Sequence, residues 1–211
     1  MRMLRKNQKE EMPFAYYLAK YAGLDPAEVT ARLGGDVTFD GEAFGLSFLG
    51  RPYRLAWPDY AIESPDAAAL ALRKMPAQTF LLRYLERGQQ IPFGGAWLNF
   101  RQLPWGEVYV KTFSGRCLGR AAGVFGNALP AFSDACRALG GAPIPGADAG
   151  FELPVIGPYR IRILLWAGDD EFPASAQILY SDQFTCGFTA EDSVVAAELL
   201  LDSLCGQLPR K

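Results

Sequence analysis

The period of the apolar residues changes several times along the chain, and each change marks an element. From residue 11 to 21, Phe14, Tyr17, Leu18 and Tyr21 recur at helical spacing and predict a helix that Gly23 ends. Asp25, with Pro26 at the first helical position and Glu28 placed to close a capping box, predicts a second short helix ending at Gly34-Gly35. The period then drops to two. Residues 37–39 and 42–49 flank Asp40-Gly41, a pair suited to the positive φ values of a type I′ hairpin turn. Tyr53, Leu55 and Trp57 alternate on a third strand. Ser64-Pro65-Asp66 predicts the cap of a helix over 67–75, and Pro76 restarts a helical run that Gly88 ends.

Beyond Gly88 the signals shorten. Residues 96–101 read as an extended segment, and 107–113 alternate as a strand after the Pro104-Trp105-Gly106 turn. Residues 117–126 and 130–139 predict two helices. Three strands follow, at 151–153, 159–166 and 176–180. Thr189 and Asp192 cap a last helix from 190 to about 204. Antiparallel hairpins mix with helix pairs, and neither βαβ repetition nor an internal repeat is present. The expected class is α+β, with antiparallel sheets built from hairpins packed against helix pairs. One domain is expected over residues 1–211, with residues 1–9 as a flexible basic tail.

Composition narrows the chemistry. The chain has 211 residues and no histidine. Imidazole general-base catalysis, Ser-His-Asp and Cys-His constellations, and histidine ligation of a metal from this chain are therefore excluded. Net charge is −2, so no broad basic field awaits nucleic acid. The charge is uneven: residues 141–211 carry ten acids against four bases, an imbalance that can attract the more basic first part or give this stretch an acidic, cation-seeking face. Cys117, Cys136, Cys186 and Cys205 are too widely spaced for a zinc ribbon or ferredoxin loop and read as reduced structural thiols. No apolar run approaches the ~18 residues of a membrane span. A soluble cytoplasmic protein without a membrane or nucleic-acid partner is expected.

The densest candidate chemistry is Trp166-Ala-Gly-Asp169-Asp170-Glu171-Phe172, set between two predicted strands. Clustered carboxylates repel one another, and a plain turn does not require three of them. Asp169, Asp170 and Glu171 are candidate ligands for a hard cation such as Mg²⁺, or an acid–base pair. The plainer alternative is a solvated turn in which one carboxylate caps backbone N–H groups and another meets an arginine. On the extended segment, Trp97, Asn99 and Arg101 share a side, where a guanidinium beside an indole suits a carboxylate, a phosphate or a planar ring. Alternatively Arg101 pairs with one of the acids at 169–171. Arg116 is a further anion-contact candidate near a helix start.

Four blocks occur in order: Phe80-Leu-Leu-Arg-Tyr84-Leu, Trp97-Leu-Asn-Phe-Arg101-Gln-Leu-Pro-Trp-Gly106, Leu165-Trp-Ala-Gly-Asp-Asp-Glu-Phe172-Pro-Ala-Ser-Ala-Gln-Ile-Leu179, and Thr189-Ala-Glu-Asp192. Together the chain resembles a domain-of-unknown-function family from anaerobic bacteria and archaea, some members of which are fused to an iron–sulfur domain of the kind found beside corrinoid enzymes. The resemblance implies an accessory role near a metallocofactor. It brings no established activity, and the cluster-binding cysteine motif is absent here.

The leading expectation is a cytoplasmic binding or accessory domain. It would recognise a small molecule, metallocofactor or partner protein through a cleft lined by Trp97, Arg101, Trp166 and the acids at 169–171. The alternative is a Mg²⁺-dependent hydrolase or transferase using Asp169, Asp170 and Glu171.

Overall fold

A computed structural model describes residues 8–208. The fold is α+β, with antiparallel strands throughout. Contacts divide the chain into two compact units, Met1–Leu46 with Pro52–Gln89, and Ser47–Arg51 with Gln90–Lys211. Residues 1–7 of the expected tail lie outside the described residues, whereas residues 8 and 9 already belong to the first helix.

The first unit contains α1 (Gln8–Tyr21), α2 (Pro26–Leu33), the strands β1 (Val37–Phe39), β2 (Ala43–Phe48) as far as Leu46, β3 (Arg51–Ala56) from Pro52 on and β4 (Ile62–Glu63), and α3 (Met75–Arg87). Asp25 caps α2 by accepting the Ala27 N–H at 2.8 Å. Tyr21, buried at the end of α1, donates its hydroxyl to the carbonyls of Leu55 and Ala56, which fastens that helix to β3. The β1–β2 hairpin forms as expected, with Phe39 opposite Phe44, but its turn differs. Only Gly41 takes a positive φ, +98°. Asp40 instead turns its carboxylate inward and accepts from the N–H groups of Glu42 and Ala43, each at 2.9 Å. The helix expected over 67–75 is reduced to a 3₁₀ turn, Leu70–Leu72. Extended Lys74 (φ −123°, ψ 116°) breaks the run, and Pro76 starts α3 afresh.

The second unit contains β5 (Trp97–Asn99), α4 (Gly106–Phe113), α5 (Gly119–Phe125), α6 (Leu129–Ala138), β6 (Ala142–Pro143), β7 (Ala149–Ile156), β8 (Tyr159–Trp166), β9 (Ser175–Ser181), a one-turn α7 (Phe184–Gly187) and α8 (Ala190–Cys205). Its strands run in the spatial order β7-β8-β9-β5, with β6 on the flank of β7. Residues 47–51 join it: Phe48 faces Ile156, and the Leu49 N–H donates to the Val155 carbonyl. One face of the sheet presents Phe151, Leu153, Ile161, Ile163, Leu165, Ile178 and Tyr180, all buried. The buried ring of Tyr180 is fixed to α8 by a 2.8 Å hydrogen bond from its hydroxyl to the Ser193 carbonyl. Leu199, Leu200, Leu201 and Leu204 of α8 are buried as well. At about 1.5–3 kcal/mol each, such side chains outweigh any surface ion pair on that helix. Thr189 and Asp192 form the expected capping box.

The strand expected over 107–113 is a helix. Val108, Val110 and Thr112 are β-branched and alternate, which imitates a strand. The buried residues tell otherwise: Gly106, Phe113, Cys117, Ala121 and Phe125 form one inward line. Steps of four overshoot a helical turn by about 40° each. The π turn Ser114–Leu118, which joins α4 to α5, takes up that drift with its wider winding. Among the described residues no helix is long and apolar enough to cross a membrane.

Gly106 sits where Phe100 passes so closely that an added Cβ would lie 1.9 Å from the Phe100 carbonyl oxygen. Gly115, in the same helical run, has nothing within 4 Å of that position. Gly106→Ala is expected to destabilise by about 1–3 kcal/mol in denaturant unfolding, through overpacking. Gly115→Ala is expected to stabilise by up to about 1 kcal/mol, through helix propensity.

Candidate functional site

Because successive strand residues point to opposite faces, burying Tyr159, Ile161, Ile163 and Leu165 of β8 sends Arg160, Arg162, Leu164 and Trp166 to the other face. The register brings neighbours from β7, β9 and β5 beside them. Glu152 stands opposite Arg162, and Pro154 opposite Arg160. Leu179 stands opposite Arg162 on the other side, Trp97 opposite Ser181 and Asn99 opposite Leu179.

Here the outer face carries a connected cluster. The Glu152 carboxylate is shared by two guanidinium groups. Arg162 donates through Nε and Nη2 at 3.1 and 2.9 Å, and Arg160 Nε lies 3.2 Å from the other oxygen. Arg162 also lies over Trp97, its guanidinium carbon 3.9 Å from the ring centroid. Phe93 meets Trp97 edge-on at 5.5 Å. The loop carrying Phe93 is pinned by Asp182, whose carboxylate accepts the N–H groups of Gly94 and Ala96 at 3.2 and 3.1 Å. Two cations share the Glu152 carboxylate, while the neighbouring Asp182 carboxylate is turned onto the backbone of the loop. The Arg160 side chain is 47% exposed and Phe93 is 48% exposed.

The acidic turn is a different kind of feature. Asp169 Oδ1 accepts from the N–H groups of Glu171 and Phe172 at 2.9 and 2.6 Å, and the Asp169 N–H donates to the Phe172 carbonyl. The same device closes the β1–β2 hairpin, where Asp40 accepts from residues two and three ahead and donates its N–H to Ala43. Asp169 thus serves the backbone, and these hydrogen bonds hold its carboxyl below the ordinary carboxylate range. Among the described residues, no three His, Cys, Asp or Glu side chains form a group able to hold a metal ion. The Mg²⁺ site expected at Asp169, Asp170 and Glu171 therefore lacks a converging donor set.

The predicted cleft is also divided. Trp97 faces Ser181 and Trp166 faces Ser175, six positions apart on β9, or roughly 20 Å at about 3.3 Å per residue. Trp97 and Trp166 occupy opposite ends of one face. Asn99 does not face a ligand: its side chain accepts the Arg101 N–H, and Gln102 returns a hydrogen bond to the Asn99 N–H. Arg101 pairs with Glu107, not with the acids at 169–171. Arg116, the further anion-contact candidate, is engaged by Glu198 at 2.5 and 2.8 Å. Arg120 is likewise held by Asp202 at 2.7 Å. These two pairs join helix α8 in the acidic stretch to arginines from the more basic one.

Most acids of residues 141–208 now have an assignment. Asp148 accepts the Ala167 N–H. Glu152 binds two arginines, Asp169 and Asp182 hold loops, and Asp192 caps α8. Glu198 and Asp202 pair with arginines, and Glu191 sits in the first turn of α8, where the helix dipole favours it. Asp170 and Glu171 alone have no such role. They stand exposed on the tip with Phe172, which is 67% exposed.

Phe93, Glu152, Arg160 and Arg162 are the residues that sequence reasoning left out of the site. The alternation of β8 does put Arg160 and Arg162 on the side of Trp166. Glu152 and Phe93, however, reach them only through strand register and loop path, which local pattern does not encode. The four cysteines are free; Cys117 and Cys136 are buried, Cys186 is exposed, and Cys205 is half-buried beside Arg120. In the first unit an open groove lies between the start of α2 and β1, and its one carboxylate, Asp25, is engaged as the α2 cap.

A family model described as a domain of unknown function, DUF3786, matches residues 25–203. No curated protein and no solved structure matches the chain.

Two outcomes are expected. A carboxyl NMR titration should find Asp169 titrating below the ordinary value of about 3.9. A carboxyl depressed on folding stabilises above its unfolded pKa, and that contribution fades as pH falls through the lower folded value. Asp169→Asn should therefore flatten the acid limb of the stability profile below about pH 4. Alkylation of the native protein should modify Cys186 first. Cys117, whose thiol burial pushes up to about 12, and Cys136, also pushed up by burial, should react only on unfolding.

Proposed function

The chain belongs to the DUF3786 family, a domain of unknown function, and we propose that it is a cytoplasmic binding or accessory domain that captures an acidic, aromatic-bearing segment of a partner protein on the outer face of its β7-β8-β9-β5 sheet. The observation that carries this reading is the stacking of Arg162 on Trp97 at 3.9 Å while Glu152 is divided between Arg162 and Arg160. Stacking fixes the guanidinium plane and leaves an indole as a ready apolar contact. Half-exposed Arg160 supplies donors that Glu152 does not use. An incoming carboxylate finds a cation there, and an incoming phenyl ring finds Trp97 and Phe93.

The resemblance to domains fused to an iron–sulfur domain of the kind found beside corrinoid enzymes makes a metallocofactor protein the first partner to try. Any metal would then belong to that partner. The acids of the hairpin tip serve no metal in this reading.

Tryptophan fluorescence during titration with a short Asp-Asp-Glu-Phe peptide tests the proposal. The expected result is a saturable change that weakens with salt, is lost in Trp97→Ala, and falls about tenfold or more in affinity in Arg160→Glu. A flat titration, or equal binding by Arg160→Glu, overturns it.

A further inference from the structure

The chain carries on its own surface the kind of segment its outer face is suited to receive. We propose that the tip of the β8–β9 hairpin, Asp170-Glu171-Phe172, docks on the Trp97–Arg160 cluster of a second copy, so that the protein self-associates about a two-fold axis. This inference rests on the reading of that cluster as a receptor for acidic, aromatic-bearing segments, and names its occupant.

Three observations carry it. First, the tip is chemically unspent. Asp170 and Glu171 meet no cation among the described residues, and Phe172 is 67% exposed although aromatic side chains favour burial. The turn beneath them is held by Asp169 alone, so the two outward acids are not needed to close it. Second, charge is complementary. Within residues 141–208 the only basic residues are Arg160 and Arg162, and both belong to the cluster. Third, the arrangement suits reciprocity. Tip and cluster lie at opposite ends of the β8–β9 ladder, beyond the Trp166–Ser175 pair and beside the Trp97–Ser181 pair. A two-fold axis across the middle of that ladder places each tip on the other copy's cluster, and both contacts form at once. Surface ion pairs and one phenyl ring per contact make the association weak, concentration-dependent and salt-sensitive.

Sedimentation velocity over a concentration series tests it, with Asp170→Lys/Glu171→Lys as one variant and Arg160→Glu as the other. Wild type should pass from monomer to dimer as concentration rises, and the midpoint should move upward with salt. Each variant alone should shift that midpoint upward by about tenfold or more, since it opposes like charges at both contacts. Mixing the two variants should restore the dimer, because every tip then meets a cluster of opposite sign. Circular dichroism confirms that both variants are folded.

Wild type that stays monomeric, a dimer indifferent to either variant, or a mixture that does not reassociate overturns the inference. The peptide titration separates the two ideas. Peptide binding by a wild type that stays monomeric removes the self-docking and keeps the receptor, whose occupant is then another acidic protein. Failure of both measurements removes both.

Discussion

The placement of Arg160 and Arg162 on the second unit's outer face follows from one constraint, the two-residue period of β8. Four side chains of that strand, Tyr159, Ile161, Ile163 and Leu165, are each fully withdrawn from solvent. Once they are committed to the interior, Arg160 and Arg162 have only the opposite face available. A one-residue slip would bury both guanidinium groups and expose the apolar set, at a cost far above anything their ion pairs return. The cluster with Glu152 and Trp97 is therefore held by apolar packing on the far side of the sheet. Its own salt bridges are partly solvated and weak, and they decide orientation more than stability.

The two aspartate turns show how alike a structural carboxylate and a functional one look in sequence. Asp40 and Asp169 perform the same backbone task, accepting from the N–H groups two and three residues ahead. Yet Asp40 is followed by Gly41 and faces Arg54, while Asp169 is followed by two further acids and faces no described cation. Arg54 reaches both Asp40 and Glu42, so the first turn's outer acid is also satisfied within the chain. The second turn is left with a local charge surplus. The excess acidity at 169–171 is a property of Asp170 and Glu171, and comparing the turns isolates it from the backbone role of Asp169.

Much of the architecture was legible because local and tertiary preferences agree. The Asp25-Pro26 start of α2, the Thr189–Asp192 box of α8 and the alternation of β8 each combine a local signal with burial of the same residues. Legibility failed where they part. In α4 Val108 and Thr112 are exposed and Val110 is half-buried, so their alternation carries no burial information, and the inward line is spaced by a π turn that no simple period describes. The site was half legible for a related reason. Trp97 and the acidic tip stood out by composition, but whether they converge depends on six positions of strand register. Arg101 and Arg116 looked available only because their partners, Glu107 and Glu198, are acids that sequence alone does not place beside them.

The electrostatic asymmetry gains a sharper meaning in this frame. Residues 141–211 carry the acidic surplus, and Arg116 and Arg120 from outside that stretch meet Glu198 and Asp202 on α8. That neutralisation consumes acids on the helical side of the sheet. On the outer side the same stretch supplies its own two arginines, which share Glu152, so an acidic segment carries a cationic spot at half-exposed Arg160. Long-range charge then opposes approach of an acidic partner, and short-range contact favours it. Such a balance yields slow, specific encounters that salt affects in two ways: screening relieves the long-range repulsion and weakens the local pairing. The sign of the net salt effect on binding thus reports which range dominates. With a net charge of only −2 on the chain and contacts shorter than the Debye length, the local term should prevail.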